Sequence, residues 1–267
     1  MSAIDTLFDQ LRRDGRKAFM PFVTAGDPDL EFTGAVLRRL VEAGSSMCEL
    51  GIPYSDPIAD GPVIQASYTR ALDHRIKLAE IFEMLGGVAP GLGTPVVTML
   101  SYAIVFRRGP DRYVAEAKAA GAAGLIVPDL PADESAKLAE VCRREDLSLI
   151  QLITPTTPRD RALRIAERTT GFIYYVSVAG ITGERDALPR KIVENVGWLR
   201  EQTPLPVCIG FGISRPEHVR MLAPVADGLI VGSAIVRRVA RAGEKPREEV
   251  LDEIGRYVAE LLGAMEG

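Results

Sequence analysis

The feature that most constrains the fold of this chain is a unit that repeats along its length. Each unit is a short apolar run, then a loop rich in Gly, Pro or Asp, then a segment with helical periodicity. Most of the apolar runs are continuously apolar, as expected of parallel strands covered on both faces. We predict eight strands, at residues 18–24, 47–52, 95–100, 124–127, 147–153, 172–176, 206–210 and 228–231.

Helical segments separate these strands and also flank the series. Residues 4–13 predict a helix before the first strand, residues 30–43 lie between Asp29 and Gly44, and residues 247–262 predict a closing helix. The pattern predicts the α/β class, specifically a (β/α)₈ TIM barrel with an extra N-terminal helix. The 267 residues fit a single catalytic domain, since such barrels run to about 250 residues. An open doubly wound sheet is the alternative, but eight units is the count of a barrel and no dinucleotide-binding motif follows the first strand.

The composition of the chain indicates which kinds of partner are not expected and in which cellular compartment the protein is expected. The net charge is -4 and no dense Lys/Arg run is present, so neither a nucleic acid nor an anionic membrane surface is an expected partner. The three cysteines, Cys48, Cys142 and Cys208, are far apart and form no CxxC pair, which predicts neither a disulfide framework nor a zinc site. The chain starts without a signal-peptide pattern and has no membrane-length apolar stretch. We therefore expect a cytoplasmic protein.

Two acidic residues are candidates for proton transfer. Glu49 lies inside the second apolar run, where burying an unpaired carboxylate is costly. Either it is a structural carboxylate satisfied by an Arg or by backbone amides, or it is a catalytic group whose apolar surroundings raise its pKa toward neutrality. Asp60 lies in the loop after the same strand and is either a turn or helix-capping residue or a second catalytic carboxylate. Asp56, in the same loop, competes with Asp60.

Glycines cluster after the last three predicted strands, in the sequences GITG at 180–183, GFG at 210–212 and GS at 232–233. Glycines let backbone amides approach an anion, and a helix that starts at Gly232-Ser233 would favour negative charge at its N-terminus. TIM barrels often bind phosphate in the loops after strands seven and eight. The clusters therefore predict a phosphate site, although tight turns alone would also explain them.

The remaining residues exclude some chemistries and suggest a pocket. None of the six lysines lies at a predicted C-terminal strand end, which disfavours a Schiff-base mechanism. His74 and His218 fall in helical segments, and we expect no metal. Apolar and aromatic residues recur near the strand ends, and they are either core residues or the lining of an apolar pocket. They are Phe22, Leu100, Tyr102, Ile126, Ile153, Tyr174 and Phe211.

Residues 49–62, ELGIPYSDPIADGP, closely resemble the signature of the tryptophan synthase alpha subunit family. Four further segments match that family in order: PFVTAGDP at 21–28, GITG at 180–183, GFGI at 210–213 and GSAI at 232–235. The resemblance covers essentially the whole chain. It implies retro-aldol cleavage of indole-3-glycerol phosphate to indole and glyceraldehyde 3-phosphate, without a metal or an organic cofactor in this subunit.

The resemblance also implies roles for individual residues. Glu49 corresponds to the carboxylate that protonates indole C3 and deprotonates the glycerol hydroxyl, and Asp60 to the one that stabilises positive charge at the indole nitrogen. Gly183, Gly212, Gly232 and Ser233 match phosphate-binding positions, and Thr182 matches the mobile loop. The positions expected to contact the rest of the substrate are Phe22, Leu100, Tyr102, Tyr174 and Phe211.

The family works with a beta subunit that carries pyridoxal phosphate, usually as an α₂β₂ assembly. The resemblance places segments 53–57 and 102–108 at that contact and makes Asp56 a coupling residue. The sequence departs from some relatives at Val178, where they have Arg, and at Pro128, where they have Ala. Three other functions stay open: a related phosphate-binding barrel enzyme, a non-catalytic partner of the beta subunit, and a lyase that releases indole without a partner.

Overall fold

Eight parallel strands close on themselves in the computed structural model of the chain, which describes residues 1–58, 60–176, 190–210 and 212–266. Each strand pairs with the next in sequence, and β1 pairs with β8 in a register that sets Met20 opposite Ile230. The predicted TIM barrel is confirmed, and the open-sheet alternative is wrong. The strands are β1 (Ala18–Thr24), β2 (Cys48–Gly51), β3 (Val96–Met99), β4 (Ala122–Ile126), β5 (Ser148–Ile153), β6 (Ile173–Val176), β7 (Val207–Gly210) and β8 (Gly228–Val231).

Helices surround the barrel, and α2 shows how the sequence sets their limits. The Asp29 side chain caps α2 by accepting a hydrogen bond from the Phe32 backbone N–H at 2.8 Å, as predicted from its place before the apolar period. The helices are α1 (Ala3–Arg13), α2 (Leu30–Glu42), α3 (Pro62–Asp73), α4 (Leu78–Leu92), α5 (Tyr102–Arg108), α6 (Pro110–Ala119), α7 (Ala136–Arg144), α8 (Arg159–Arg168), α9 (Arg190–Gln202), α10 (Pro216–Leu222), α11 (Ser233–Val239) and α12 (Arg247–Glu266). Short 3-10 turns lie at Ala132–Glu134 and Ala240–Gly243.

Successive residues of each strand point to opposite faces, and this alternation separates two apolar layers. Outward-facing residues such as Leu50 pack with the helices in the larger layer. Inward-facing residues such as Met47 and Ile230 fill the barrel. β4 begins two residues before its predicted start at 124 because Ala122, which carries little strand preference of its own, pairs with Val96, and the register with β3 then shifts before Gly124 pairs with Val97.

The N-terminal helix α1 closes one end of the barrel. Its buried face, Ile4, Phe8 and Leu11, joins the interior layer, and the Phe8 ring lies 5.8 Å from that of Phe172, the residue before β6. The helix begins with a capping box, in which the Asp5 backbone N–H donates a hydrogen bond to the Ser2 side chain. The end that holds the carboxyl termini of the strands is therefore the one left for a site. Within the described ranges, no helix is both long and apolar enough to cross a membrane.

Candidate active site

A cavity of about 770 Å³ opens at the carboxyl ends of the strands. Its wall combines inward-facing strand residues with the loops that follow them. It brings together several residues that were predicted from distant parts of the sequence: Phe22, Glu49, Asp60, Tyr174, Gly212, Gly232 and Ser233. Both candidate carboxylates and the described members of the predicted phosphate site therefore face one space.

Glu49 points into the barrel from β2, because it shares the inward face of the strand with Met47 and Gly51. Its side chain is 2% exposed, and Oε1 has no hydrogen-bond partner among the described residues. Nor does the part of the chain described here give Glu49 an ion pair, which argues against the structural-carboxylate interpretation. Burial, and secondarily the nearby charge of Asp60, raise the Glu49 pKa to about 8. Near neutral pH this carboxyl is protonated and able to donate a proton.

Asp60 reaches the same cavity from the loop between β2 and α3. The Tyr54 hydroxyl donates a hydrogen bond to Asp60 Oδ2 at 3.1 Å, and Gln65 Nε2 donates to the Asp60 carbonyl at 2.8 Å. Burial raises the Asp60 pKa, and the hydrogen bond from Tyr54 opposes that rise. Asp60 does not cap α3, since Gly61 is the capping residue and Pro62 the first helical residue. Its carboxylate is thus available to a ligand.

Asp56, the competing acid of this loop, occupies a different environment. Its Oδ2 accepts a hydrogen bond from Ser55 Oγ at 2.7 Å, and its side chain is exposed to solvent. It is not among the described residues of the cavity wall. The geometry therefore favours Asp60 over Asp56 as the second acid of the site.

Two glycines make room for the aromatic rings of the pocket. A Cβ on Gly51 would lie 2.4 Å from Phe22 Cζ, and one on Gly210 would lie 2.4 Å from Tyr174 Cε2. Real Cβ atoms do not approach so closely, so each ring occupies space that only glycine leaves free. The sequence analysis did not identify Gly51 as a site residue; its place two residues after Glu49, on the same face of the strand, was the available signal.

A second part of the cavity wall is built from backbone at the ends of β7 and β8. Gly212 has φ +77°, a conformation that favours glycine, and Gly232 precedes the first residue of α11, Ser233. The N-terminus of a helix presents unpaired N–H groups and the positive end of the helix dipole. Arg237, one turn further along α11, also lies on the wall. This side can accept an anion. Residues Thr182, Gly183 and Phe211, with Val178, lie outside the described residues.

Leu100 and Tyr102 are not among the described residues that line the cavity. Leu100 is buried in the outer layer between sheet and helices, and Met99, its neighbour in the strand, occupies the cavity wall instead. The reason is the two-residue period of a strand, in which a shift of one position moves a side chain to the other face. Tyr102 is the first residue of α5; its backbone N–H donates to Asp129 Oδ1 at 2.7 Å and its ring lies 6.2 Å from Phe106.

The described residues contain no group of three or more His, Cys, Asp or Glu side chains that could hold a metal ion. Pro128, the other departure noted in the sequence, lies on the cavity wall. The three cysteines are free and buried.

The chain is similar to known proteins both in sequence and in structure. A family model described as tryptophan synthase alpha chain matches residues 8–262. A tryptophan synthase alpha chain from Rhodopirellula baltica is 56% identical over 266 residues, covering 98% of this chain and 95% of the relative. The crystal structure of tryptophan synthase subunit alpha from Legionella pneumophila has a TM-score of 0.91 at 33% identity, covering 100% of this chain and 99% of that one. A chain in a structure of the tryptophan synthase a2b2 complex from Pyrococcus furiosus is 40% identical with a TM-score of 0.85, covering 92% and 98%.

Proposed function

The chain belongs to the tryptophan synthase alpha chain family, and from this we propose that its cavity cleaves indole-3-glycerol phosphate with Glu49 and Asp60 as the catalytic residues. The reaction yields indole and glyceraldehyde 3-phosphate, so the enzyme is a carbon-carbon lyase of L-tryptophan biosynthesis. The observation that carries the assignment is that two carboxyl groups of different burial face one cavity whose wall also holds Gly212 and the N-terminus of α11 at Gly232.

Glu49 is proposed to act first as an acid and then as a base. Its protonated carboxyl gives a proton to indole C3, which leaves a positive charge shared with the ring nitrogen. The carboxylate then takes the proton of the hydroxyl on the adjacent glycerol carbon. The bond between C3 and that carbon breaks, its electron pair restores the indole ring, and the hydroxyl carbon becomes the aldehyde. The proton count of Glu49 is unchanged at the end, and a pKa of about 8 suits both halves of the cycle.

Asp60 is proposed to accept a hydrogen bond from the indole N–H and to stabilise the charge that develops there. A carboxylate placed where charge develops acts without reorganising during the reaction, which is the most effective form of electrostatic catalysis. Phe22, Met99 and Tyr174 supply the apolar wall for the indole ring. Gly212, Gly232 and Ser233 hold the phosphate, together with Thr182, Gly183 and Phe211 as the family pattern implies.

All proton transfers in this scheme are carried by side chains, so we propose that this subunit uses neither a metal nor an organic cofactor. Pyridoxal phosphate is expected only in the partner. We also propose that residues 1–267 form a single catalytic domain in the cytoplasm. The closed barrel that takes its strands from 18 to 231 supports the first point, and three free buried cysteines fit a reducing compartment.

We propose a tryptophan synthase beta subunit as the partner, in an α₂β₂ assembly. The family pattern assigns segments 53–57 and 102–108 to the contact. Ile58, which directly follows the first segment, is 93% exposed, and Phe106, within the second segment, is 73% exposed. A groove of about 380 Å³ with largely apolar walls lies between these segments, lined by Ile52, Pro53, Ile76, Leu78, Ile81, Ile104, Arg107 and Arg108. Exposed apolar side chains beside an apolar groove are typical of a protein-binding surface.

Indole release from indole-3-glycerol phosphate tests the proposal, measured for the purified chain with and without a tryptophan synthase beta subunit. We expect slow release by the chain alone and faster release with the partner, because contact would order the loops around the cavity. Fast release that the beta subunit does not change would favour a lyase that works alone. No release under either condition would contradict the catalytic assignment and favour a non-catalytic partner.

A further inference from the structure

The Asp60 carboxylate is held by a side chain to which the catalytic scheme gives no role. Within the described structure, Tyr54 Oη is the one hydrogen-bond partner of the Asp60 carboxylate oxygens, at 3.1 Å from Oδ2. The other contacts of Asp60 involve its backbone: its N–H donates to the Pro57 carbonyl at 3.0 Å, and its carbonyl accepts from Gln65. Those bonds shape the loop but leave the orientation of the carboxylate open.

Tyr54 is itself held in place by the barrel. Its ring lies 5.3 Å from that of Tyr68, at an interplanar angle of 58°. Tyr68 is 1% exposed and belongs to the interior apolar layer. Its hydroxyl lies beside Gly51, 2.8 Å from where a Cβ on that glycine would stand. A chain of contacts therefore runs from the end of β2 through Tyr68 and Tyr54 to the Asp60 carboxylate.

We propose that Tyr54 is a positioning residue for the lyase reaction, whose hydroxyl holds the Asp60 carboxylate ionised and turned into the cavity before the substrate binds. This inference rests on the proposed function of the cavity. A hydroxyl that donates to a carboxylate stabilises its charged form. It therefore opposes the effect of burial, which by itself favours the neutral acid. An Asp60 that waited for substrate to orient it would have to reorganise during catalysis, and that cost is what preorganisation removes.

The charged and titratable groups around this pair come from several elements. Glu49 of β2, Tyr54 of the loop, Tyr68 of α3 and Tyr174 of β6 all interact electrostatically with Asp60. Asp129, in the loop after β4, acts on Tyr54. Apart from Tyr54, each of these groups is an acid whose ionised form would raise the Asp60 pKa, so the hydrogen bond from Tyr54 is the contact that lowers it.

The test compares Tyr54→Phe with Tyr68→Phe in the full-length chain. Both variants remove one phenolic hydroxyl from the same pair of rings, but the Tyr68 hydroxyl has no hydrogen-bond partner in the described part of the chain. Carboxyl carbon NMR of protein labelled at aspartate follows the Asp60 titration, with Asp60→Asn identifying the signal. We expect a higher Asp60 pKa in Tyr54→Phe and little change in Tyr68→Phe. An unchanged Asp60 pKa in Tyr54→Phe, or an equal shift in both variants, would overturn the proposal.

Kinetics supply the second measurement. The acidic limb of the kcat/KM profile should move to higher pH in Tyr54→Phe, with kcat/KM lowered by about tenfold on that limb, the scale of a hydrogen bond to a charged group. Affinity for inorganic phosphate should stay the same, because the phosphate site lies at β7 and β8. A uniform loss at every pH with weaker phosphate binding would indicate a merely structural role. If wild-type protein fails to cleave the substrate, the proposed function fails, while the NMR titration still decides whether Tyr54 controls Asp60.

Discussion

Replacing Glu49 with Gln should abolish turnover and at the same time stabilise the fold. Gln keeps the shape of the side chain but can neither donate nor accept the catalytic proton, and general acid-base groups contribute about 10²- to 10⁴-fold to a rate. The stabilising effect follows from burial. The wild-type side chain is 2% exposed and has no ion pair among the described residues, so its charged form destabilises the native state.

The magnitude of the stabilisation depends on pH. Burial moves the Glu49 pKa from 4.5 to about 8, so the native chain keeps a proton that the unfolded chain releases between those values. The stabilising contribution of the bound proton is present in full below pH 4.5 and is lost as pH rises through 8. At about 1.36 kcal/mol per pH unit, the full loss is about 5 kcal/mol, an upper limit, of which about 3 kcal/mol falls between pH 5.5 and pH 8. A Gln side chain at position 49 does not titrate, so its contribution to the free energy of unfolding does not depend on pH.

Urea unfolding at pH 5.5, 7 and 8.5 measures this difference, with the fluorescence of the single tryptophan, Trp198, as the probe. The excess stability of Glu49→Gln over wild type should grow with pH. Glu140→Gln, at an exposed position on α7, serves as the matched control and should show a difference that does not change with pH. An excess stability of Glu49→Gln that is the same at all three pH values would refute the reasoning from burial. Near-normal turnover in that variant would refute the catalytic role.

Four further outcomes follow from the same geometry. In wild type, kcat/KM should fall above about pH 8, because Glu49 must be protonated to start the reaction; a profile flat to pH 9.5 would contradict this. Gly212→Asp should bind glycerol phosphate at least about tenfold more weakly than Gly212→Asn. The Asn side chain has the same size as Asp and also tolerates a positive φ, but it lacks the charge. Equal affinities of the two variants in calorimetry would reject the phosphate site. Gly51→Ala should lower the unfolding free energy by about 1–3 kcal/mol, since its Cβ would meet the Phe22 ring at 2.4 Å; an unchanged urea midpoint would show that the ring has room to move. Phe106→Ser should weaken binding to a beta subunit by about tenfold or more in a titration, with indole release by the chain alone unchanged.

The barrel and its two acids could be predicted from the sequence because their signals are local. Eight apolar runs that alternate with helical periods determine the number of strands, and that number favours closure into a barrel over an open sheet. Glu49 is recognisable because a lone carboxylate inside an apolar run needs an explanation. Asp60 could not be separated from Asp56 by composition alone; the family pattern made the distinction, and the structure supports it, since Asp60 bonds to Tyr54 inside the cavity whereas Asp56 bonds to Ser55 in solvent.

The pocket wall was harder to predict because it depends on strand phase. Met99 and Leu100 are adjacent and both apolar, so hydrophobicity does not say which of them faces inward. Which residue faces inward depends on where the alternation of side chains along the strand begins, and a shift of one position in that start exchanges the inward and outward faces. The role of Tyr54 is likewise absent from any local pattern, because its ring is placed by contact with Tyr68, fourteen positions further along the chain.

The polar groups of the site come from two parts of the barrel that are close to each other. β2 and its loop supply both proposed acids, one of which accepts a hydrogen bond from Tyr54, while β7 and β8 supply the proposed anion site. β1 lies between β2 and β8, and its Phe22 joins the two parts: it is in register with Glu49, and its Cβ lies 3.7 Å from where a Cβ on Gly232 would stand. A substrate with an aromatic ring at one end and a phosphate at the other therefore has one productive direction in this cavity. Reversing it would set the phosphate against the Asp60 carboxylate, at a cost of several kcal/mol for like charges in close contact.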